Sequence, residues 1–309
     1  MTAPSVRPIR SVRRRVDGVL LLDKPSGLSS NAALQRAKRL FAAEKAGHTG
    51  TLDPLASGLL PLCLGDATKF AQSLLDAEKA YVATVHFGVA TTTGDAEGEI
   101  VDEKPVAFSR ADLEAVLPSF IGRIAQVPPR YAALKYQGRN YYEYARAGVE
   151  IPRVAREVDI HALEILEWVP PTAVLGVACG KGTYVRVLAE DLGAALGSCA
   201  HLAALVRTRT GPFALEQAVT LDVLEQMNPA ERDALLLPVD APLVGMPRLD
   251  VDAARARALE YGQEAAAPGQ APGRYRCYAV GGRFLGVVEA AGGVLCAVRL
   301  ARTDGTAPA

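Results

Sequence analysis

Several features are scarce or missing in this 309-residue chain, and each absence closes a class of function. No charge-free run reaches the roughly 18 residues that a membrane-spanning helix needs; the longest, Leu192 to Val206, holds Gly193, Gly197 and His201. A membrane protein is therefore not expected. The arginines near the start have no apolar stretch behind them to form a secretory core, so no signal peptide is expected, while a very short organellar transit peptide stays open. Cysteines 63, 179, 199, 277 and 296 are an odd count with no CxxC pair, in a chain large enough to stand without staples. Neither a disulfide framework nor a zinc site is expected, and the compartment should be reducing, which makes the cytoplasm the expected location. His48, His86, His161 and His201 include no pair at metal-ligand spacing, and no GxSxG elbow occurs. Metal-dependent and acyl-transfer chemistry thus lack visible apparatus, and no internal repeat suggests a solenoid.

Net charge is also missing: 34 Lys+Arg stand against 34 Asp+Glu, which argues against a nonspecific polyanion binder. The distribution changes that view. Residues 1–40 carry nine basic side chains (Arg7, Arg10, Arg13, Arg14, Arg15, Lys24, Arg36, Lys38, Arg39) against Asp17 and Asp23. Residues 121–160 hold seven basic and four acidic groups, interleaved with Tyr131, Tyr136, Tyr141, Tyr142 and Tyr144. Cations for phosphate and rings for bases are what an unstacked nucleic acid requires; a solvated surface with ordinary helix-face tyrosines is the plainer alternative.

With 50% apolar residues, the length suggests one large domain plus a small one. GVLLLDKPSG reads as a buried strand ending in a turn, followed by a helix capped by Ser29 or Ser30, with Leu34, Ala37, Leu40 and Phe41 at helical spacing. Further strands are expected at 59–64, 79–88, 123–127, 155–167 and 173–179, and helices at 66–76, 109–119, 139–147, 183–195 and 221–235. This irregular mixture lacks the alternation of a doubly wound sheet, so the expected fold class is α+β with a mixed, largely antiparallel sheet. From about Pro247 short apolar runs separated by Gly-Gly turns suggest a small β-barrel. The expected division is a basic arm at 1–17, a catalytic domain at 18–245, a small barrel at 246–303 and a tail at 304–309.

The most informative stretch is GHTGTLDPLASGLLPLCLGDATKF, residues 47–70. Gly47, Gly50 and Asp53-Pro54 make a tight loop, which presents Asp53 either as a catalytic carboxylate or as a residue that hydrogen-bonds its own turn. The run from Gly176 to Thr183 is similar to a phosphate loop, but it has three residues rather than four between Gly176 and Gly180 and puts Gly182 where a magnesium-binding Ser or Thr must stand. A nucleotide triphosphatase is not expected.

Residues 47–70 resemble the catalytic motif of the TruB family of tRNA pseudouridine synthases, and four more blocks agree in order. LLLDKPSGLSSN (20–31) resembles the family's Lys-Pro motif, and KAYVATVHFGVATTTGDAEG (79–98) its tyrosine-containing strand. The segment 126–158 is similar to its RNA-contacting insertion and 179–213 to its arginine motif, so the resemblance covers residues 18–213. It implies a pseudouridine synthase fold, Asp53 as the catalytic carboxylate, Tyr81 stacking on the target uracil and Arg186 paired with Asp53. It also implies that His48, Tyr184 and Leu205 line the site, that Lys24 with Pro25 supports the catalytic loop, and that Lys135, Arg139, Arg146 and Arg153 of the insertion contact RNA. The C-terminal segment resembles the small PUA barrel loosely. Two departures, Ala132 where the family's insertion usually has Ser and the Thr-Thr-Thr opening of the 91–98 loop, are not expected to touch the chemistry.

The implied reaction isomerises uridine 55 in the T-loop of tRNA to pseudouridine. It has no redox step and takes no external atom, so no cofactor and no metal are expected. Arg186 should favour the ionised carboxylate and shift the Asp53 pKa downward. The target base should flip out of its stack, with His48 as a wedge. The implied partner is the T-arm of tRNA, with no membrane and no obligate protein partner, and the protein is expected to be a monomer. Two other readings are a guide-dependent relative working inside a ribonucleoprotein, which activity on naked tRNA would separate, and an RNA-folding chaperone.

Overall fold

The computed structural model describes residues 13–132 and 134–302. Arg7 and Arg10 of the expected basic arm, and the expected tail at 304–309, lie outside the described residues. Among those residues no helix is long and apolar enough to cross a membrane.

The chain begins with β1 (Gly18–Lys24), α1 (Ser30–Leu40), β2 (Ala46–His48), β3 (Ser57–Leu64), α2 (Ala71–Asp76) and β4 (Lys79–Phe87). There follow β5 (Val89–Thr91), β6 (Ile100–Glu103), α3 (Arg110–Val116), β7 (Gly122–Gln126), β8 (Lys135–Tyr136), β9 (Arg139–Asn140) and α4 (Tyr141–Arg146). Next come β10 (Arg156–Val169), β11 (Thr172–Cys179), α5 (Val185–Ala195), β12 (Ala200–Thr210), β13 (Phe213–Ala214), β14 (Val219–Thr220), α6 (Leu221–Gln226) and α7 (Pro229–Ala234). The C-terminal part holds β15 (Arg248–Val251), α8 (Ala253–Glu260), β16 (Ala265–Ala266), β17 (Gly273–Ala279), β18 (Phe284–Ala291) and β19 (Val294–Leu300).

Burial explains the unbroken apolar run of β1, because both of its faces are covered. Leu20 and Leu22 enter one core with Ala33, Leu34, Ala37 and Phe41, while Val19 and Leu21 enter another with Leu59, Cys63, Leu74 and Phe213. Helix α1 starts where the Ser29 hydroxyl accepts the Ala32 N–H at 3.1 Å. The neighbouring Ser30 does something else: its hydroxyl donates to Leu52 O at 2.8 Å and accepts from Leu52 N–H at 2.7 Å, which pins the helix to the loop before β3.

The large sheet runs β14-β1-β3-β12-β4-β11-β10-β7, with β2 on β3 and β13 on β12. Only β1/β14 and β3/β12 are parallel, so the sheet is mixed and largely antiparallel. Strand β12 joins the two halves, and its approach to β3 requires a glycine. A Cβ on Gly58, whose φ is +96°, would lie 2.4 Å from Arg207 O. The C-terminal residues form a curled five-stranded sheet, β15-β17-β18-β19-β16, closed over α8 by Val251, Leu259, Cys277, Val288 and Leu295. Phe70, Leu243 and Val287 pack this sheet against the rest of the chain.

The expected α+β class is the observed one. Three local expectations are corrected. The helix expected at 221–235 is two, because Asn228 stops α6 and caps α7 through a capping box with Glu231. The helix expected at 66–76 is a 3-10 turn (Gly65–Lys69) followed by α2, and that expected at 139–147 is a strand and a shorter helix. Strand β12, at the centre of the sheet, was not expected at all.

Candidate active site

Asp53 sits in the loop from β2 to β3. Main-chain contacts close the turn, the Ala56 N–H donating to Asp53 O at 3.1 Å, and Gly27 N–H ties the β1–α1 turn to Pro54 O at 2.8 Å. The Asp53 carboxylate itself meets Arg186 Nη2 at 2.9 Å. Together they lie on a cleft of about 250 Å³ that Tyr81, Tyr184, Leu205 and Arg207 also line. The Asp53 side chain keeps 41% of its exposure, while Arg186 keeps 6%. The carboxylate thus faces the opening and the guanidinium backs it.

Arg186 stands in the first turn of α5, where Gln126 and Tyr184 exchange side-chain and main-chain hydrogen bonds at 3.0 and 3.3 Å. Both terminal nitrogens of its fork are engaged. Nη1 donates to Thr93 O at 3.1 Å and pairs with Asp95 Oδ2 at 3.4 Å, and Nη2 donates to Tyr131 O at 3.0 Å. Asp95, 4% exposed, is in turn held by the Thr93 hydroxyl at 2.5 Å and the Glu97 N–H at 3.1 Å. These contacts correct an expectation: the Thr-Thr-Thr loop does bear on the site, since Thr93 holds both Arg186 and Asp95, and Ala132 lines the cleft.

Tyr81 projects from β4, opposite Val177 of β11 and Arg207 of β12. Arg207 is 1% exposed; its Nε donates to Leu59 O at 2.7 Å and its Nη2 to Gly50 O at 3.1 Å. Lys24 is wholly buried and donates through Nζ to Pro25 O at 2.9 Å and Leu28 O at 2.6 Å, so Lys24 and the exposed Pro25 shape the turn that packs on the Asp53 loop. Lys79 lines the cleft and donates to Leu75 O at 2.7 Å.

Burial governs the titration of the site. It raises the Asp53 carboxyl above its ordinary value; Arg186 pulls it down, Asp95 pushes it further up and Lys24 pulls it down, and the net direction is upward. The expected downward shift is therefore corrected: the pairing is present, but removal of water around the cleft floor outweighs it. Burial also raises the Tyr81 and Tyr184 phenols and lowers Lys24 and Lys79 to about 8. Such a floor offers a partly accessible carboxylate, a fixed cation behind it and a phenol beside it. That set can attack or deprotonate a sugar carbon and hold a planar base.

The remaining expected residues stand apart from the cleft lining. His48 ends β2, with Nδ1 buried and without a partner among the described residues, and burial and Arg207 lower its pKa. Lys135, Arg139, Arg146 and Arg153 are exposed in and beside the β8–α4 segment. Arg139 lies over the Tyr144 ring at 5.3 Å, Arg146 over Tyr142 at 5.5 Å, and Arg153 donates to Pro128 O at 3.1 Å. Asp95, Arg207 and Gln126 were not singled out from sequence. Among the described residues no three His, Cys, Asp or Glu side chains gather as metal ligands.

Comparison with known proteins gives a consistent result. Residues 38–185 match the model of the N-terminal domain of TruB family pseudouridylate synthases, and residues 186–244 that of the tRNA pseudouridylate synthase B C-terminal domain. The tRNA pseudouridine synthase B of Burkholderia mallei is 55% identical over 98% of this chain and 99% of its own, and that of Thiobacillus denitrificans is 52% identical over 96% and 99%. Among solved structures, a chain of a Cbf5-Nop10-Gar1 complex is 28% identical with a TM-score of 0.67, covering 88% of this chain and 78% of that one. A chain of an H/ACA RNP bound to a substrate RNA containing 2'-deoxyuridine is 25% identical with a TM-score of 0.68, covering 92% and 84%. The family models span residues 38–244 and the relatives nearly the whole length, and the chain belongs to the TruB family of pseudouridylate synthases.

Proposed function

We propose that this chain isomerises uridine 55 in the T-loop of tRNA to pseudouridine, with Asp53 as the catalytic carboxylate and no cofactor. The observation that carries the reading is the 2.9 Å contact of Asp53 with the buried Arg186 on the floor of an open cleft, in a member of this family. The reaction breaks the N1–C1′ bond, turns the uracil, and joins C5 to C1′. Asp53 in its ionised form attacks C1′ or removes a sugar proton; Tyr81 and Leu205 hold the loosened base, and Tyr184 bounds the pocket. Arg186 pulls the carboxylate toward its ionised form against the opposing pull of burial.

A base inside a folded loop must leave its stack to reach this floor, at a cost of a few kcal/mol. His48, whose lowered pKa leaves it neutral at pH 7, fills the vacated stack. We assign residues 18–245 to the catalytic domain, and 246–303 to a PUA-like domain that with Lys135, Arg139, Arg146 and Arg153 holds the RNA backbone. The protein acts in the cytoplasm as a monomer on naked tRNA, without an obligate protein partner. Incubating the purified protein with an unmodified tRNA transcript and mapping pseudouridine tests the reading. Pseudouridine at position 55 is expected; a transcript left unmodified, or modified elsewhere, refutes it.

A further inference from the structure

We propose that Arg207 is a positioning residue for this reaction, fixing the Tyr81 hydroxyl as a hydrogen-bond donor toward the bound base. The inference rests on the reading of the cleft given above. Arg207 and Tyr81 are direct partners on the antiparallel strands β12 and β4, an arrangement that puts their side chains on one face of the sheet. The guanidinium has little freedom, because Nε is committed to Leu59 O at 2.7 Å and Nη2 to Gly50 O at 3.1 Å, and the residue is 1% exposed. Gly50 belongs to the same arrangement: its φ is +93°, and a Cβ there would lie 3.3 Å from Arg207 Nη1.

Facing Tyr81 across the two strands, the guanidinium pulls the phenol's pKa down against burial, which raises it. Arginine carries five N–H donors and no acceptor, so in a hydrogen bond between the two the phenol oxygen must accept. The phenol's own proton is then left to point elsewhere, and Tyr81 lines the cleft. The two buried guanidinia thus serve different groups. Arg186 holds Asp53 and Asp95, whereas Arg207 joins β3 to the Asp53 loop and faces Tyr81.

A double-mutant cycle tests the assignment, read as single-turnover release of the C5 hydrogen from tRNA transcript by Arg207→Met, Tyr81→Phe and the double variant. Losing a hydrogen bond to a charged group should slow Arg207→Met about tenfold to a hundredfold when Tyr81 is present. In the Tyr81→Phe background the same substitution should cost less than about threefold, because the hydroxyl through which Arg207 acts is gone. Equal factors in both backgrounds overturn the proposal. The neutral Arg207→Gln, with 3-fluorotyrosine at position 81, gives a second readout in the free protein. Burial, Cys179 and Asp53 raise the phenol and Arg207 lowers it, so its fluorine titration should move to higher pH; an unmoved titration also overturns the proposal. A wild-type protein that makes no pseudouridine refutes the functional reading instead, and the fluorine measurement still decides the contact.

Discussion

Replacing Arg186 by Gln should have two effects that the geometry separates. The first is on stability. Arg186 is 6% exposed and bridges Asp95, 4% exposed, to Asp53, 41% exposed, so its loss strands one buried carboxylate and one that water can reach. Removing one partner of a buried pair costs roughly 3–5 kcal/mol, and because water screens the Asp53 end the expected cost is near the low limit, about 3 kcal/mol. At roughly 2–4 °C per kcal/mol for a chain of this size, the melting temperature should fall by about 6–12 °C. The second effect is on pH dependence. Asp53 would lose the group that lowers it most and keep burial and Asp95, both of which raise it. In the proposed mechanism the ionised form acts, so the acidic limb of single-turnover C5 hydrogen release should shift to higher pH. The rate at neutral pH should fall about tenfold to a hundredfold from the lost charge-assisted contact. Scanning calorimetry and a rate profile on tRNA transcript read both effects. An unmoved acidic limb in a folded variant would refute the reasoning about Asp53, and an unchanged melting temperature that about Asp95.

Lys24 is held near 8 in the folded chain against an ordinary 10.5, so between those values the unfolded state binds the extra proton and folding gains stability as pH rises. Wild-type stability measured against Lys24→Met should therefore increase from about pH 8 to 10.5, and a flat difference across that window contradicts the burial of the amine. Gly58→Ala should destabilise by about 2 kcal/mol or more, because a Cβ 2.4 Å from Arg207 O forces β12 off β3; denaturant unfolding that matches wild type would exclude that close approach. Changing Arg139, Arg146 and Arg153 together to Ala should weaken tRNA binding and flatten its dependence on salt. An unaltered slope would remove the β8–α4 segment from the RNA-holding surface.

What the sequence made legible follows the range of the interactions involved. The doubly buried run of β1 and the glycine-framed loop at Asp53 are local patterns and appear where expected. Strand β12 is different. Its opening, Ala200 to Val206, is alanine- and leucine-rich and continues the texture of α5, and only the open edges of β3 and β4 draw it into the sheet. Arg207 gave no sign of being core, because an arginine is buried only where carbonyls from distant segments, here Leu59 and Gly50, meet its fork. Asp95 reaches Arg186 through tertiary packing that no spacing encodes. The direction of the Asp53 shift is hidden for the same reason: motif resemblance implies the pairing with Arg186 but not the depth of the cleft floor. The break at Asn228-Pro229 is itself local, an Asn cap followed by Pro at the first helical position.

The central claim is that the Asp53 carboxylate performs the chemistry and is dispensable for holding RNA. Asp53→Asn keeps the shape of the side chain while removing its charge, so tRNA affinity and pseudouridine formation should separate in one protein sample. The expected result is near-wild-type binding of an unmodified transcript with no pseudouridine after prolonged incubation; pseudouridine accumulating in that variant would contradict the account.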